Sequence, residues 1–385
     1  MIEGQSIICI SQDWEGDPTS KKHIMRILSA RNRVLWVNSI GMRRPTAAAS
    51  DLRRLVAKLR RIVSGVRLVE PNIYVMDPPV LPLPGIRAAE QVNRIVLAAR
   101  LRQLCRRLQM QRPIIWTFLP NVNWLLGRLH ERMVIYHCVD EYSQFSGVPK
   151  DVIIRMEREL IQRADIVFTS AEKLCAERRE INPRTYFIPH GVDVAHFSRA
   201  LDPDTAVASE IRTLPKPVIG FFGLLADWVD LDMIGALARA RPKWSFALVG
   251  KAQTDLRAVQ GLPNVHLIGQ RPYSALPGYC RGFDVGLIPF RMNELTLRVN
   301  PLKLREYLAA GLPVVSTPLP EVVRYQGVVH IATNREGFLE EIEAALQERT
   351  SERDRARVAM MQSEGWEARV GEMSRLVEER LTEAA

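Results

Sequence analysis

The sequence predicts an α/β protein built from two parallel-sheet domains. Three observations carry this. Apolar runs of four to seven residues alternate with longer amphipathic stretches. These runs fall into two series. A polar, proline-punctuated stretch at 199–216 separates the series. Short buried strands alternating with helices are the signature of a parallel sheet covered on both faces. A chain of 385 residues also exceeds what one ordinary core supports.

The first series places strands at 6–10, 34–38, 73–76, 114–118, 133–138, 166–169 and 185–188, with helices at 87–108 and 152–163 among those between them. The segment Pro189-His190-Gly191-Val192-Asp193 closes it. The second series places strands at 218–222, 245–249, 265–268, 285–289 and 314–316. The expected division is a first domain over 1–195 and a second over 196–350. A C-terminal helix over 351–385 is expected to pack back toward the first domain. The cleft between the domains is the expected ligand site.

Composition is that of a globular chain, 47% hydrophobic and 25% charged. No apolar run approaches the ~18–20 residues of a membrane span. The run at 7–10 reads as a first strand rather than a leader. The five cysteines are an odd number, widely spaced, with no CxxC pair. They read as reduced core residues of a cytosolic protein, and no Cys/His cluster has metal-ligand spacing. The net charge of +10 is uneven: residues 1–120 hold 20 Lys and Arg against 8 Asp and Glu. Such an excess points to an anionic surface or partner.

Chemistry-bearing positions concentrate in the second series. PVIGFFGLLADW sets Gly223 at the end of a buried strand, before a helix expected to begin near Asp227. A glycine there admits a ligand to the backbone, and a helix N-terminus favours phosphate. Gly250 and Lys251 repeat the pattern, and Gly269 ends a further strand ahead of Gln270 and Arg271. Lys251 reads either as a phosphate contact or as a solvated loop lysine. In NPLKLREYLAAGLPVVST, Pro301 suits a first helical turn, and Lys303 and Glu306 share one face. Lys303 can meet phosphate as a point charge, and Glu306 can accept two hydroxyl hydrogen bonds, as a ribose diol offers. The plainer reading is a surface ion pair. Gly311 supplies the C-terminal cap.

These strings, GFFG, ALVGK, VHLIGQRPYSALPGY, FDVGLIPF and NPLKLREYLAAGLPVVST, resemble the donor half of a GT-B glycosyltransferase, close to family 4 and to bacterial enzymes of cell-surface polysaccharide synthesis. The likeness runs over roughly 217–329. FIPHGVDVAHF resembles the interdomain segment of the family, with His190 in place of an asparagine. The resemblance implies two Rossmann-like domains facing each other across a cleft and a nucleotide-diphospho-sugar donor. It implies that Glu306 holds the ribose hydroxyls, that Lys303 and the Gly223 loop face the diphosphate, and that Gln270–Arg271 hold the base. It implies no metal and no other cofactor.

Two positions depart from that pattern. Many members carry two glutamates separated by seven residues; Glu306 is the second, and Arg298 stands at the first. Arg298 then serves phosphate, or Glu294 takes over the lost role. The basic residues usual after the first glycine are also missing, which leaves Arg298, Lys303 and Lys251 to neutralise phosphate.

In the first domain, the loop SQDWEGDPTSKKH offers Asp13 as a general base, while Asp17, Thr19 and Ser20 read as helix-starting residues. MVIYHCVDEYSQF sets His137, Asp140 and Glu141 about another strand end. His137 reads either as a core histidine or, by resemblance to retaining relatives, as a contact to the donor sugar. Residues 51–68 pair Arg53, Arg54, Lys58, Arg60 and Arg61 with apolar positions at helical spacing. This basic amphipathic helix suits an anionic membrane surface and a lipid-linked acceptor.

The leading expectation is transfer of a sugar from a nucleotide-diphospho-sugar to a glycan or lipid-linked acceptor, on the inner face of the plasma membrane. A sugar-nucleotide epimerase, a catalytically silent nucleotide-sugar-binding partner and a basic nucleic-acid binder are the alternatives. The last lacks aromatic residues interleaved with its charges for base stacking, so no nucleic acid is expected as a partner.

Overall fold

A computed structural model describes residues 1–42 and 65–383. The chain divides into two compact units, one of residues 1–189 with 369–385, the other of residues 190–368. The basic stretch at Arg53, Arg54, Lys58, Arg60 and Arg61 lies outside the described residues.

The first unit is an eight-stranded sheet. Its strands are β1 (Ser6–Ile10), β2 (Arg33–Val37), β3 (Arg67–Glu70), β4 (Ile73–Met76), β5 (Ile114–Thr117), β6 (Met133–Cys138), β7 (Ile166–Thr169) and β8 (Thr185–Phe187). They lie in the order β3-β4-β2-β1-β5-β6-β7-β8, and every pair is parallel except β3 with β4. SIICI, IIWT and MVIYHC are near-continuous apolar runs because helices cover both faces. The helix Arg87–Arg107 turns Leu97, Leu101 and Leu104 into one such layer.

β3 corrects the reading of 51–68 as one helix, because Arg67 and Leu68 are extended. RLVE pairs back onto β4 through a turn in which Asn72 takes a left-handed φ of 62°, its side-chain amide donating to Ser29 O at 3.0 Å. Asparagine tolerates that conformation better than most residues.

The second unit is a six-stranded, fully parallel sheet: β9 (Val218–Phe222), β10 (Ser245–Val249), β11 (Val265–Gly269), β12 (Val285–Ile288), β13 (Val314–Ser316) and β14 (His330–Ile331). Its order, β11-β10-β9-β12-β13-β14, is that of a dinucleotide-binding doubly wound domain, with the direction of winding reversing between β9 and β12. β14 has two residues and leaves no periodicity to read.

The helix expected near Asp227 begins at Leu231, capped by Asp230, whose carboxylate accepts from Met233 N at 3.0 Å. Leu225, Ala226 and Val229 are buried first, so the chain after Gly223 tucks into the core and turns at Asp227 and Trp228, where Val229 N donates to Ala226 O at 3.0 Å. The helix N-terminus therefore does not adjoin Gly223.

The C-terminal stretch is two helices, Ser351–Met361 and Trp366–Glu383. They part at Glu364, whose carboxylate takes Arg305 Nε at 2.6 Å and the Tyr325 hydroxyl at 2.7 Å. All five cysteines are free and buried.

Candidate functional site

In an open doubly wound sheet, ligands bind beyond the carboxyl ends of the strands where the winding reverses. In the second unit that place is the end of β9, beside β12. Gly223 follows β9 at φ +128°, its N–H donating to Val249 O at 2.8 Å. Gly250 follows β10, and a Cβ there would stand 1.7 Å from Gly223 O. A Cβ on Gly223 would stand 2.3 Å from Lys303 Cε. Two strand-end turns and one lysine thus occupy a single place, and only glycine fits at either turn.

The helix Leu302–Ala309 delivers Lys303 and Glu306. Tyr307 anchors it: its hydroxyl accepts from Phe222 N at 3.0 Å, at the end of β9. Its ring lies where a Cβ on Gly286 would be, 2.8 Å away. The Lys303 ammonium sits 5.4 Å from the Phe221 ring centroid and 5.8 Å from that of Phe290. Glu306 is half-buried one turn on. Burial pushes its carboxyl up to about 7, against the pull of the Lys303 ammonium. Burial also lowers the Lys303 ammonium, against the pull of Glu306. Each side chain lacks solvation that a ligand's phosphate or hydroxyls would supply.

The other residues singled out in this unit lie as follows. Arg298, mostly covered, donates to Glu294 O at 2.8 Å and pairs with the Glu294 carboxylate at 2.5 Å. That pair ties together the residue read toward phosphate and the one read in place of the missing glutamate. Lys251 is exposed, and its carbonyl accepts from Leu225 N at 3.0 Å. Gln270 is exposed after β11, while Arg271 pairs with Glu210 at 2.8 Å and donates to the Tyr279 hydroxyl at 3.0 Å. The structure thus joins Gly223, Gly250, Lys303 and Glu306.

The first unit carries its own cluster at the equivalent reversal, between β1 and β5. His137 on β6 is 2% exposed, stacked 4.9 Å from the Phe118 ring, and its Nδ1 has no hydrogen-bond partner among the described residues. Burial, and secondarily the Lys21 charge, lowers it to about 3, so the ring is neutral. Asp140 is raised to about 6 by burial, with Lys21 opposing and Glu141 adding. Lys21 is 4% exposed and lowered to about 8 by burial, with Asp140 and Cys9 opposing. Perturbed titrating groups gathered at a strand end mark a candidate site.

Asp13 is exposed and structures its loop: its carboxylate accepts from Ser39 N at 3.1 Å and its carbonyl from Gly16 N at 3.2 Å. Thr19 caps the helix Ser20–Ser29 by position, without a side-chain cap bond. Glu141 is committed to Arg178 at 2.7 Å, and Arg178 also binds Glu157 at 3.1 Å. Sequence reading missed Lys21. It sits in a stretch that reads as a helix start, and nothing local signals that it is buried beside Asp140 and His137.

Among the described residues, no group of three His, Cys, Asp or Glu side chains is placed to hold a metal ion. None of their helices is long and apolar enough to cross a membrane.

Three comparisons agree with this geometry. Residues 216–348 match the model of the family described as glycosyl transferases group 1. Over 237 residues the chain is 30% identical to the putative teichuronic acid biosynthesis glycosyltransferase TuaH of Bacillus subtilis (strain 168). That match spans 56% of this chain and 58% of TuaH. Sucrose-phosphate synthase from Thermosynechococcus elongatus superposes with a TM-score of 0.69 at 16% identity, covering 99% of this chain and 100% of that one. Anabaena HepE, solved in complex with UDP and glucose, superposes at 0.65 and 17% identity over 97% and 99%. The likeness to group 1 glycosyl transferases thus falls within the second unit, and the chain as a whole has the GT-B fold.

Proposed function

We propose that this chain transfers a sugar from a nucleotide-diphospho-sugar donor to a glycan or lipid-linked acceptor in cell-surface polysaccharide synthesis, on the cytoplasmic side of an anionic membrane. The observation that carries the reading is the meeting of Gly223, Gly250, Lys303 and Glu306 at the winding reversal of the unit that resembles group 1 glycosyl transferases. HepE in complex with UDP-glucose and an E. coli trehalose-6-phosphate protein bound with UDP-2-fluoro glucose are among the structures it resembles in fold.

In this reading Lys303 neutralises the diphosphate, which the absence of side chains at Gly223 and Gly250 admits to the strand ends. Glu306 accepts the ribose hydroxyls, Gln270 and Arg271 border the base, and Arg298 and Lys251 supply further charge toward phosphate. In transfer, the bond from the anomeric carbon to the phosphate oxygen breaks, and the nucleoside diphosphate leaves with its electron pair. The acceptor oxygen bonds that carbon and gives up its proton. Asp140, ionised at neutral pH, is the candidate for that proton, with Asp13 the alternative. His137, held neutral, offers Nδ1 to a sugar hydroxyl.

A catalytically silent nucleotide-sugar-binding partner is the second reading. It is favoured by Arg298 standing where many such transferases carry a glutamate, and by its closure onto Glu294.

A thermal-shift panel of UDP, GDP, ADP, TDP and CDP tests the donor site. A ligand at 100 times its Kd stabilises the folded chain by about 2.7 kcal/mol. One nucleotide should raise the melting point of the wild type and not of Glu306→Ala. No shift with any of them sinks the reading. Hydrolysis or transfer of the matching sugar nucleotide then separates an enzyme from a silent partner.

A further inference from the structure

The helix Arg87–Arg107 buries one face against the sheet and leaves an unusual outer face. Ile86, just before it, is 40% exposed; Val92, Ile95 and Val96 are 48%, 66% and 41% exposed. At 3.6 residues per turn, Val92, Ile95 and Ala99 lie in one outward stripe, which Arg102 and Arg106 extend toward the C-terminal end. All four side chains after Val92 in that stripe are exposed.

The helix holds six arginines and one carboxylate. That carboxylate, Glu90, turns back to accept from Gly85 N at 3.0 Å. Arg94 and Arg100 flank the stripe, donating to Gln91 and Gln103 within the same helix. The outer face is thus apolar and cationic, with no acid on it.

We infer that the outer face of Arg87–Arg107 docks on an anionic lipid surface, the apolar stripe entering the headgroup boundary and the arginines meeting lipid phosphates. This rests on the transferase reading only for its purpose, which is to bring the first unit to a lipid-linked acceptor. A membrane surface supplies both halves of the complement, apolar interior and negative charge. A second copy meeting it through the same face supplies an apolar stripe but no negative charge, and sets arginines against arginines.

The test is flotation of the full chain with phosphatidylglycerol-containing vesicles and with pure phosphatidylcholine vesicles. Wild type should float with the first and not the second, more weakly as salt rises. Val92→Asp with Ile95→Asp should cut binding at least about tenfold, since two apolar side chains leave the boundary. Both residues are exposed, so the melting point and its shift with UDP should not move. Arg102→Gln with Arg106→Gln should cost about fivefold per arginine and flatten the salt dependence.

Wild-type chain that ignores anionic vesicles overturns the docking surface, and so does an aspartate variant that floats as before. A dimer in solution that the aspartate variant dissociates also overturns it, assigning the face to self-association. A nucleotide-induced shift that persists in any of these cases leaves the transferase reading standing, whereas a wild-type chain that shifts with none of UDP, GDP, ADP, TDP and CDP overturns the transferase reading and not the surface.

Discussion

At Glu306 burial holds a carboxyl at a cost in stability above neutral pH. Its carboxyl is raised in the folded chain to about 7, above the ordinary carboxylate range it has unfolded. Between those values the folded chain holds a proton that the unfolded chain has released. The stability linked to that proton is therefore present in full below the unfolded value and is lost as pH rises through about 7. Glu306→Gln should melt close to wild type near pH 5 and above it near pH 8, while losing its nucleotide-induced shift. Equal melting points at both pH values would remove the buried-carboxylate account. Lys21 acts on chemistry in a related way. Its ammonium opposes the rise of Asp140, so Lys21→Met should raise Asp140 further above 6. If Asp140 takes the acceptor proton, the acidic limb of the pH–rate profile moves to higher pH in that variant; an unmoved limb assigns the proton elsewhere.

At the scale of an element, the helix Leu302–Ala309 explains why its sequence stops so abruptly. Gly311 takes φ +78°, its N–H returning to Leu308 O at 3.0 Å and that of Leu312 to Tyr307 O at 2.9 Å. This is the glycine-terminated cap that satisfies the last carbonyls of a helix. It lets β13 enter the sheet three residues later. Tyr307, in the last turn, ties the helix to β9 and so sets Lys303 against the Gly223 turn. Tyr307→Phe leaves the buried Phe222 N–H without its acceptor, at a cost of about 1–3 kcal/mol in urea unfolding. Nucleotide affinity should fall with it, since Lys303 loses its registration. A variant that loses stability and keeps full affinity would show that the helix is positioned by its other contacts. The residues of this cap and helix were legible in the sequence because their chemistry is local: Pro301 at the start, Gly311 past the end, Lys303 and Glu306 three apart. The tuck of Leu225 and Val229 was not, because a buried loop and a first helical turn share the same apolar spacing.

For the whole molecule, two doubly wound units each place a cluster of perturbed groups where their winding reverses. The proposed reaction asks for no metal, so turnover of the matching donor should persist in EDTA; loss of turnover that magnesium or manganese restores would place a cation in the mechanism. The sequence by itself determined the alternation of strands and helices, the two series, and the glycine turns and Lys303–Glu306 pair of the second unit. Those follow from backbone periodicity and from residue types whose conformations are nearly unique. Only the tertiary structure decided that Gly250 closes directly on Gly223, that β3 runs antiparallel, that Lys21 is buried beside His137 and Asp140, and that Ile95 faces outward. Each is a relation between residues distant in the chain or a choice of which helix face is covered, and the solvation that shifts a proton or exposes an isoleucine exists only once the sheets have packed.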